Sequence, residues 1–551
     1  MAVLAEDLTT TTCYESTTHR RAGMTPHTVN ADPEINPDNR FYRALSAIER
    51  AGNRLPHPFW LFVILCLLLG ITSAIMSGLG VSVTLPSDGK TAAVRNLFSI
   101  DGALFAIENA LTNYATFPPL AMIVVVLLGV SIAERSGMLT ALLRVTVGRL
   151  PRAWLTFSIA FASMIAHVMS DSAYLVMIPL GALAFRAAGR SPLLGLMVAY
   201  AATAVGFNAS PIVTPSDAIR ASLSMAASHI VDEDYVVTPF ATYFFTAASS
   251  VILAITIAVV VDKLLSRRPE FSPARLEADF AVSDKLFNTD STTVAGGSVT
   301  LAPEERRGLI VSAVVFVIAA VGIALMLMPG SPFRGEGGSI VESPVLKNIA
   351  IFIAVVFGLL GIVYGRMTQS IPTLGDVPPA MAEGIRTLAP VLVLFFVVAQ
   401  FLAYFEWTNI GSVISVNGAE LFKHLNAPHL VLLLIIVVAI CILNMLITSG
   451  SAMWSILAPV LVPLVMYIGL RPESAMVAFM IGDSVTNCLT PLNGYFVLAL
   501  GYVQHFRKGA GVGTMLSFTL PLAVAVLVVW TTFFVLWYLI GIPLGPGVPV
   551  R

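Results

Sequence analysis

Long apolar stretches alternate with short polar segments over most of the chain after residue 57. A helix that crosses a bilayer needs about 20 mostly apolar residues. Seven uninterrupted stretches have about that length, at 58–79, 114–133, 237–262, 308–329, 346–365, 388–406 and 512–541. Two more, 192–222 and 473–503, are apolar but interrupted by polar residues. The pattern predicts an all-α polytopic membrane protein with about nine membrane-spanning helices.

Two further apolar stretches, 154–188 and 429–469, contain Ser, Asp or Gly near their middles. Each is long enough for two spans or for one re-entrant hairpin. Cytoplasmic loops of membrane proteins carry an excess of Lys and Arg. Arg152 precedes 154–188 and Arg190 follows it, so this segment leaves and re-enters the basic side. By the same rule 429–469 enters from the other side, which predicts two opposed re-entrant hairpins in an inverted-topology repeat.

The charge distribution also divides the chain. The predicted parts are a cytosolic tail (1–57), a first membrane half (58–262), a cytosolic linker (263–307), a second membrane half (308–541) and a short C-terminal tail (542–551). Within the first tail, 41–54 is predicted to be an amphipathic helix lying along the membrane surface.

Composition agrees with a membrane protein and narrows the function. The chain is 57% hydrophobic and 11% charged, whereas soluble domains carry about 25% charged residues. The net charge is −1 and no basic stripe suggests nucleic acid as a partner. The four cysteines have no metal or redox spacing. We find no Walker, GxSxG or HExxH pattern, so we expect no enzyme and no cofactor.

Polar interruptions occupy matching places in the two halves. In the first half, Ser-Asp-Ser at 170–172 is followed by a Pro-closed break at 206–215. In the second half, Ser-Gly-Ser at 449–451 is followed by a Pro-closed break at 482–491. Broken apolar helices at corresponding positions of two halves indicate the binding site of a secondary transporter.

Two carboxylates lie at these interruptions, Asp171 in the first half and Asp483 in the second. A charged side chain inside a membrane is costly and usually functional. Amide side chains at Asn208 and Asn487 accompany them. Because Na⁺ prefers oxygen ligands, these four residues form a candidate Na⁺ or proton-coupling site. Trp454, three residues after Ser451, would either stack on an aromatic ligand or pack in the core.

The second-half motifs resemble the AbgT (p-aminobenzoyl-glutamate transporter) family. The similarity covers roughly 58–541 and rests on Asn444-x-x-x-x-Ser449-Gly450-Ser451-Ala452-x-Trp454 and Gly482-Asp483-Ser484-Val485-Thr486-Asn487-x-x-Thr490-Pro491, with Ser170-Asp171-Ser172-Ala173-Tyr174 in the first half. The resemblance implies a homodimeric carrier of the bacterial inner membrane with nine spans and two hairpins. It further implies Na⁺- or H⁺-driven transport of p-aminobenzoyl-glutamate or export of sulfonamide antimetabolites. It assigns seven residues to the substrate pathway: Asp171, Asn444, Ser451, Trp454, Pro472, Asp483 and Pro491.

Two positions depart from the family pattern. Met453 and Met480 stand where that pattern has basic residues, and Met480 lies three residues before Asp483. An Arg would pair with a substrate carboxylate and a thioether would not. The second-half pathway therefore lacks the expected cation.

The preferred interpretation is an ion-coupled secondary active transporter of a small aromatic or carboxylate-bearing compound. Asp171 and Asp483 would bind the coupling ion, while Asn444, Ser451 and Trp454 would line the substrate site. A membrane-embedded hydrolase using the same aspartates is one alternative, and a passive channel is another. The sequence leaves the direction of transport, the ion and the exact substrate open.

Overall fold

The computed structural model describes residues 58–84, 91–148, 154–287, 301–335, 343–424 and 428–550. The amphipathic helix predicted at 41–54 lies outside these residues. In the first half the helices are α1 (Pro58–Gly78), α2 (Ile100–Ala115), α3 (Pro118–Arg135), α4 (Met138–Gly148), α5 (Leu155–Ala166), α6 (Ser172–Ala187), α7 (Pro192–Val205), α8 (Pro215–Ser228) and α9 (Tyr243–Lys263). A short hairpin of β1 (Ser82–Thr84) and β2 (Thr91–Ala93) follows α1.

The remaining helices follow the linker region. They are α10 (Leu276–Phe287), α11 (Pro303–Met326), α12 (Pro344–Lys347), α13 (Ile349–Thr368), α14 (Val377–Trp407), α15 (Ile410–His424), α16 (His429–Asn444), α17 (Gly450–Tyr467), α18 (Pro472–Thr486), α19 (Gly494–Phe506) and α20 (Val512–Ile540). The chain is therefore predominantly helical throughout its described part, as predicted.

Eight helical segments among the described residues are long and apolar enough to cross a membrane. Seven of them coincide with the seven uninterrupted stretches predicted from the sequence. The eighth is α17, which the sequence assigned to a hairpin. The two interrupted stretches, 192–222 and 473–503, instead form pairs of shorter helices.

Apolar side chains on the outside of the bundle identify the lipid-facing surface. Helix α11 lies almost entirely on the outside of the bundle, and only 6% of its most apolar part is buried. Ile318 on this helix is 65% exposed, and Ile310 and Val314 are also more than half exposed. Such a contiguous exposed apolar surface is stable in lipid and not in water. The protein is thus a multi-pass membrane protein.

Close helix packing depends on small residues, as is usual in membranes. A methyl group built on Gly129 of α3 would lie 2.0 Å from the Ala354 carbonyl oxygen of α13. One on Gly361 of α13 would lie 2.6 Å from the Ala133 nitrogen. The two helix backbones therefore touch, and α13 anchors α3 beside the site described below.

Ion pairs connect segments that the Lys/Arg distribution assigned to the cytosolic side. Arg144 Nη2 lies 2.5 Å from Glu305 Oε1, and Arg507 Nη1 lies 2.7 Å from Asp279 Oδ1. Arg190 Nη2 lies 2.7 Å from Asp262 Oδ1. Each pair requires its two segments to lie at the same end of the molecule.

Several elements were not identified in the sequence, and the β1–β2 hairpin, α4 and α12 are among them. Helix α2 precedes the span predicted at 114–133, α15 occupies much of 407–428, and α10 lies inside the predicted linker 263–307. In addition, α9 begins at Tyr243 rather than at residue 237, because 238–242 forms turns. Helix α14 begins at Val377, eleven residues before the predicted start of its span. Hydropathy detects lipid-length apolar segments and is insensitive to short or mixed helices.

Candidate functional site

Two pairs of helices in the first half and two in the second are interrupted at the predicted places. Helix α5 ends at Ala166 and α6 begins at Ser172, while α7 and α8 are separated by 206–214. Helix α16 ends at Asn444 and α17 begins at Gly450, while α18 and α19 are separated by 487–493. The interruptions bring polar backbone and side chains together inside the bundle.

A polar cavity of about 390 Å³ lies among these interruptions. The first half contributes 168–172 and Arg220, and the second half contributes 448–451 and Asp483. Helices α3 and α14 close the remaining walls. Irregular backbone at this depth is tolerated because it lines a polar cavity.

Asn208 joins the two halves through both ends of its side-chain amide. Its Nδ2 donates to Asp483 Oδ2 at 2.7 Å and to the Met480 carbonyl at 3.2 Å. Its Oδ1 accepts from Arg220 Nη1. Arg220 Nη2 donates to Asp217 Oδ1 at 2.5 Å. A guanidinium only donates and a carboxylate only accepts, so this amide orientation satisfies both neighbours.

Asn444 holds the end of α18 in place. Its Nδ2 donates to the Asp483 carbonyl at 2.6 Å, to Thr486 Oγ1 at 2.9 Å and to Asn487 Oδ1 at 3.0 Å. Asn444 itself is fully buried. It therefore fixes the backbone that carries the Asp483 side chain.

Two buried acceptor oxygens at this point, Asp483 Oδ1 and Asn444 Oδ1, have no hydrogen-bond partner within the described part of the chain. The first turn of α17 approaches the same carboxylate: a methyl group built on Gly450 would lie 3.0 Å from Asp483 Oδ1. Helix N-termini favour negative charge. The arrangement presents unpartnered oxygens of the type that a hard cation or a proton would satisfy.

Asp171 lies on the other side of the cavity, where its side chain is exposed to the cavity space. The Tyr495 hydroxyl is within hydrogen-bonding reach of its carboxylate. The Tyr495 ring stacks on Tyr174, with centroids 4.2 Å apart and an angle of 1° between the ring planes. Glu134 of α3 makes a side-chain hydrogen bond with Ser172 nearby. Asp171 is therefore open to a ligand, whereas Asp483 is enclosed.

The other predicted site residues divide between the cavity and the packed interior. Ser451 and Asn487 line the cavity. Trp454 does not: its ring is fully buried, lies 4.6 Å from Phe479 between centroids, and donates from Nε1 to Ser224 Oγ at 3.0 Å. Of the two alternatives for this residue, the structure shows core packing.

The two prolines and Met480 also lie away from the cavity lining. Pro472 is the buried first residue of α18, and Pro491 lies in the turn before α19. The Met480 side chain is fully buried. These three residues belong to the broken helix and its flanking turn and do not line the cavity.

Sequence reasoning missed Arg220, Glu134 and Tyr495, all of which line the cavity. Arg220 had a detectable signal, because it is a basic residue inside the apolar stretch 192–222 and such residues are rare in membranes. Glu134 lies one residue beyond the predicted end of the span 114–133 and was therefore assigned to the following polar segment, although it belongs to α3. Nothing in the sequence distinguishes Tyr495 from the other tyrosines of the chain.

Metal chemistry of the zinc or iron type is not indicated at this site. The described part of the chain contains no group of three or more His, Cys, Asp or Glu residues placed to hold a metal ion. The oxygen atoms at the cavity are carboxylate, amide and hydroxyl oxygens, which suit a hard monovalent cation or a proton.

Known proteins are similar to this chain in sequence and in fold. The model of the AbgT putative transporter family matches residues 43–551. The p-aminobenzoyl-glutamate transport protein of Escherichia coli (strain K12) is 33% identical over 506 residues, which are 92% of this chain and 96% of that protein.

Two solved structures have the same fold. The YdaH transporter of Alcanivorax borkumensis, described as having an unusual topology, superposes with a TM-score of 0.80 at 35% identity, over 89% of this chain and all of that one. MtrF of Neisseria gonorrhoeae, described as illuminating a class of antimetabolite efflux pumps, gives a TM-score of 0.84 at 36% identity, over 92% of this chain and all of that one. On the family match and on the identity across nearly the whole length, this chain belongs to the AbgT putative transporter family.

Proposed function

We propose that this protein is an ion-coupled secondary active transporter of a small aromatic compound that carries an acidic group. The observation that carries the proposal is the cavity itself, in which Asp171 and Asp483 from two matching pairs of broken helices face one polar space. Binding sites of secondary transporters occur at such interruptions.

The proposed ion site is centred on Asp483. Its Oδ1 and the Asn444 Oδ1 are buried acceptors without partners, and both lie beside the interruption that ends α18. A bound Na⁺ or a proton would satisfy them. Asn487 adds an amide oxygen beside them. Asn208 holds the Asp483 carboxylate through its Nδ2, and Asp171 offers a second carboxylate across the cavity.

The proposed substrates follow from the relatives. One relative is a p-aminobenzoyl-glutamate transport protein and another is grouped with antimetabolite efflux pumps. We extend to this chain a substrate of p-aminobenzoyl-glutamate type, or the export of sulfonamide-type antimetabolites. Ser451 lines the cavity and would contact the substrate. The residues that would act indirectly, by positioning the cavity-lining residues, are Asn444, Trp454, Pro472, Met480 and Pro491.

Alternating access would come from the two broken helix pairs acting as re-entrant hairpins. Thr156 near the start of α5 and Arg190 after α6 both bond to Asp262 Oδ1, at 2.8 and 2.7 Å. Helix α5 therefore starts where α6 ends, at one end of the bundle, with the interruption between them at the cavity. The proposal includes an inverted repeat, a bacterial inner-membrane location and a homodimer, the last two on the family resemblance.

The test is transport by purified full-length protein in liposomes, with labelled p-aminobenzoyl-glutamate and an imposed Na⁺ gradient, H⁺ gradient or none. We expect uphill movement under one gradient and none without it. Flux that only equilibrates the compound under all three conditions would indicate a channel and contradict ion coupling. Chemical change of the labelled compound would instead favour a hydrolase.

A further inference from the structure

The cavity has one positively charged residue in its lining. Among the described residues that line it, Arg220 is the only Lys, Arg or His, whereas Glu134, Asp171 and Asp483 are acidic. Arg220 is 4% exposed and comes from α8 of the first half. A buried cation inside a membrane is expensive and is usually retained for binding.

The Arg220 guanidinium has unused donor capacity. Two of its five N–H groups donate to described side chains, one to Asn208 and one to Asp217. Its Nε is buried and has no hydrogen-bond partner among the described residues. An unpartnered buried donor is costly, so the site is incomplete without an acceptor.

Only one of the two oxygens of Asp217 contacts Arg220. Its Oδ2 accepts from the Thr214 backbone nitrogen and from Thr214 Oγ1, both at 2.8 Å, and closes a capping box at the start of α8. A carboxylate at a helix N-terminus is stabilised by the helix dipole as well as by its ion pair. Asp217 therefore orients the guanidinium through one oxygen only and leaves its remaining donors for a second acceptor.

We propose that Arg220 is the specificity-determining residue that recognises the acidic group of the transported compound, a carboxylate or a deprotonated sulfonamide. The assignment rests on the proposed function, whose substrate class it narrows to anions. Guanidinium binds planar anions through a rigid fork of donors, and its orientation by two fixed partners reduces the entropy lost on binding.

Arg220 is also connected to the proposed ion site. Asn208 accepts from Arg220 on one side and donates to Asp483 on the other. An ionised Asp483 and Asp171 repel an incoming anion, and a bound cation or proton removes that repulsion. Ion and anion would then each raise the affinity for the other, because such coupling between two sites is reciprocal.

Residue 480 contacts the same hydrogen-bond network through its backbone, although its side chain is a Met thioether. The Met480 carbonyl accepts from the same Asn208 amide that contacts Arg220. The cation that the family pattern has at position 480 is thus supplied here from α8, in the opposite half of the molecule. The thioether at 480 therefore leaves the anion preference intact.

The test measures binding to purified full-length protein in detergent, so that it does not depend on transport. p-Aminobenzoate and p-aminobenzamide share ring and size and differ in charge, and each competes with labelled p-aminobenzoyl-glutamate. We expect wild type to bind the anion at least about tenfold more tightly than the amide, as expected for one charge-assisted pair. Arg220→Met should weaken p-aminobenzoate binding by about 10- to 100-fold and change p-aminobenzamide binding by less than about threefold.

Arg220→Met leaves Asp217 without its ion-pair partner, so a second variant guards against misfolding. Arg220→Met/Asp217→Asn removes the pair together and should show the same loss of anion preference. Arg268→Met is the matched control, because Arg268 bonds to Ser517 outside the cavity. It should bind both compounds as wild type does. Elution as a single species and the thermal unfolding midpoint check each variant.

Specific outcomes would overturn the assignment. Equal binding of the two compounds by wild type would do so, and so would an unchanged preference in both Arg220 variants. Equal weakening of both compounds would show a structural role only. A preserved anion preference in protein that fails to move the anion uphill in liposomes would contradict the proposed coupled transport and leave the role of Arg220 standing.

Discussion

The two sets of broken helices, α5–α8 and α16–α19, share a framework and differ in their chemistry. In each set, a residue at the end of the first helix bonds to the last turn of the third helix. His167 Nε2 contacts the Thr203 carbonyl at 2.8 Å in the first set. Asn444 makes three bonds to the end of α18 in the second set. The first set thus connects its two helices through one imidazole hydrogen bond, and the second set through three hydrogen bonds of one amide.

The helices after the breaks differ as well. Helix α8 starts with the Thr214–Asp217 capping box and carries Arg220 one turn later. Helix α19 starts with Asn493, whose Oδ1 accepts from the Tyr495 nitrogen at 3.0 Å. The positive charge of the cavity therefore comes from the first set, and the enclosed carboxylate Asp483 from the second. The framework is shared, and the two sets contribute side chains of opposite charge to the cavity.

The largest expected effect comes from Asp483→Asn. Loss of the charged ligand should lower ion affinity by about 100-fold and abolish gradient-driven accumulation, because removing one partner of a buried charge pair costs about 2–5 kcal/mol. Folding should persist, since the side-chain oxygen of the new Asn can still accept from Asn208 Nδ2.

Asp171→Asn is the matched variant in the first set and should have a smaller effect, because Asp171 is open to the cavity. Liposome uptake at a series of ion concentrations measures the ion affinity of both variants. Wild-type flux in Asp483→Asn would show that Asp483 has no part in the mechanism.

Gly450→Ala should follow in magnitude. The new methyl group would lie 3.0 Å from Asp483 Oδ1 and 3.1 Å from Oδ2, which forces the carboxylate to shift. We expect about a tenfold loss of ion affinity, typical of mild overpacking. Gly501→Ala is the control, because nothing lies within 4 Å of its added methyl group. Unchanged ion dependence in Gly450→Ala would mean that the ion binds elsewhere.

Asn444→Ala tests the hydrogen bonds from Asn444 to the end of α18, which we expect to be stronger than the His167 contact with α7. It leaves the Asp483 carbonyl and the Thr486 and Asn487 side chains without their shared donor. The free energy of unfolding should fall by about 1–3 kcal/mol, the usual cost of unsatisfied buried polar groups. His167→Ala breaks one hydrogen bond, to the Thr203 carbonyl, and should cost less. Thermal unfolding of both in the same detergent ranks them, and the reverse order would refute the comparison.

The smallest effect is expected for Trp454→Phe. The substitution removes the Nε1 bond to Ser224 and keeps an aromatic ring beside Phe479. Stability should fall by about 1 kcal/mol and substrate affinity should stay within about threefold of wild type. Competition binding with p-aminobenzoyl-glutamate measures the affinity. A large loss of affinity at unchanged stability would place Trp454 in contact with the substrate after all.

Sequence alone located the parts of this protein that hydrophobicity controls. The seven uninterrupted spans coincide with observed helices, and the interruptions lie where small and polar residues break the apolar runs. Asp171 and Asp483 were identified for the same reason, because an acidic residue in an apolar segment stands out locally. The motif around Asp483 predicted membership of the AbgT family, and the family match over residues 43–551 confirms it.

Tertiary structure decided which side chains meet. Asn208 and Asp483 lie 275 residues apart in the chain, and Trp454 and Ser224 lie 230 apart. The buried position of Trp454 and the bridge from Arg220 to Asp483 follow from how α8, α17 and α18 pack. Hydrophobic periodicity is a property of neighbouring residues, whereas a hydrogen bond across the bundle depends on the relative position and rotation of two helices, which the local pattern does not encode.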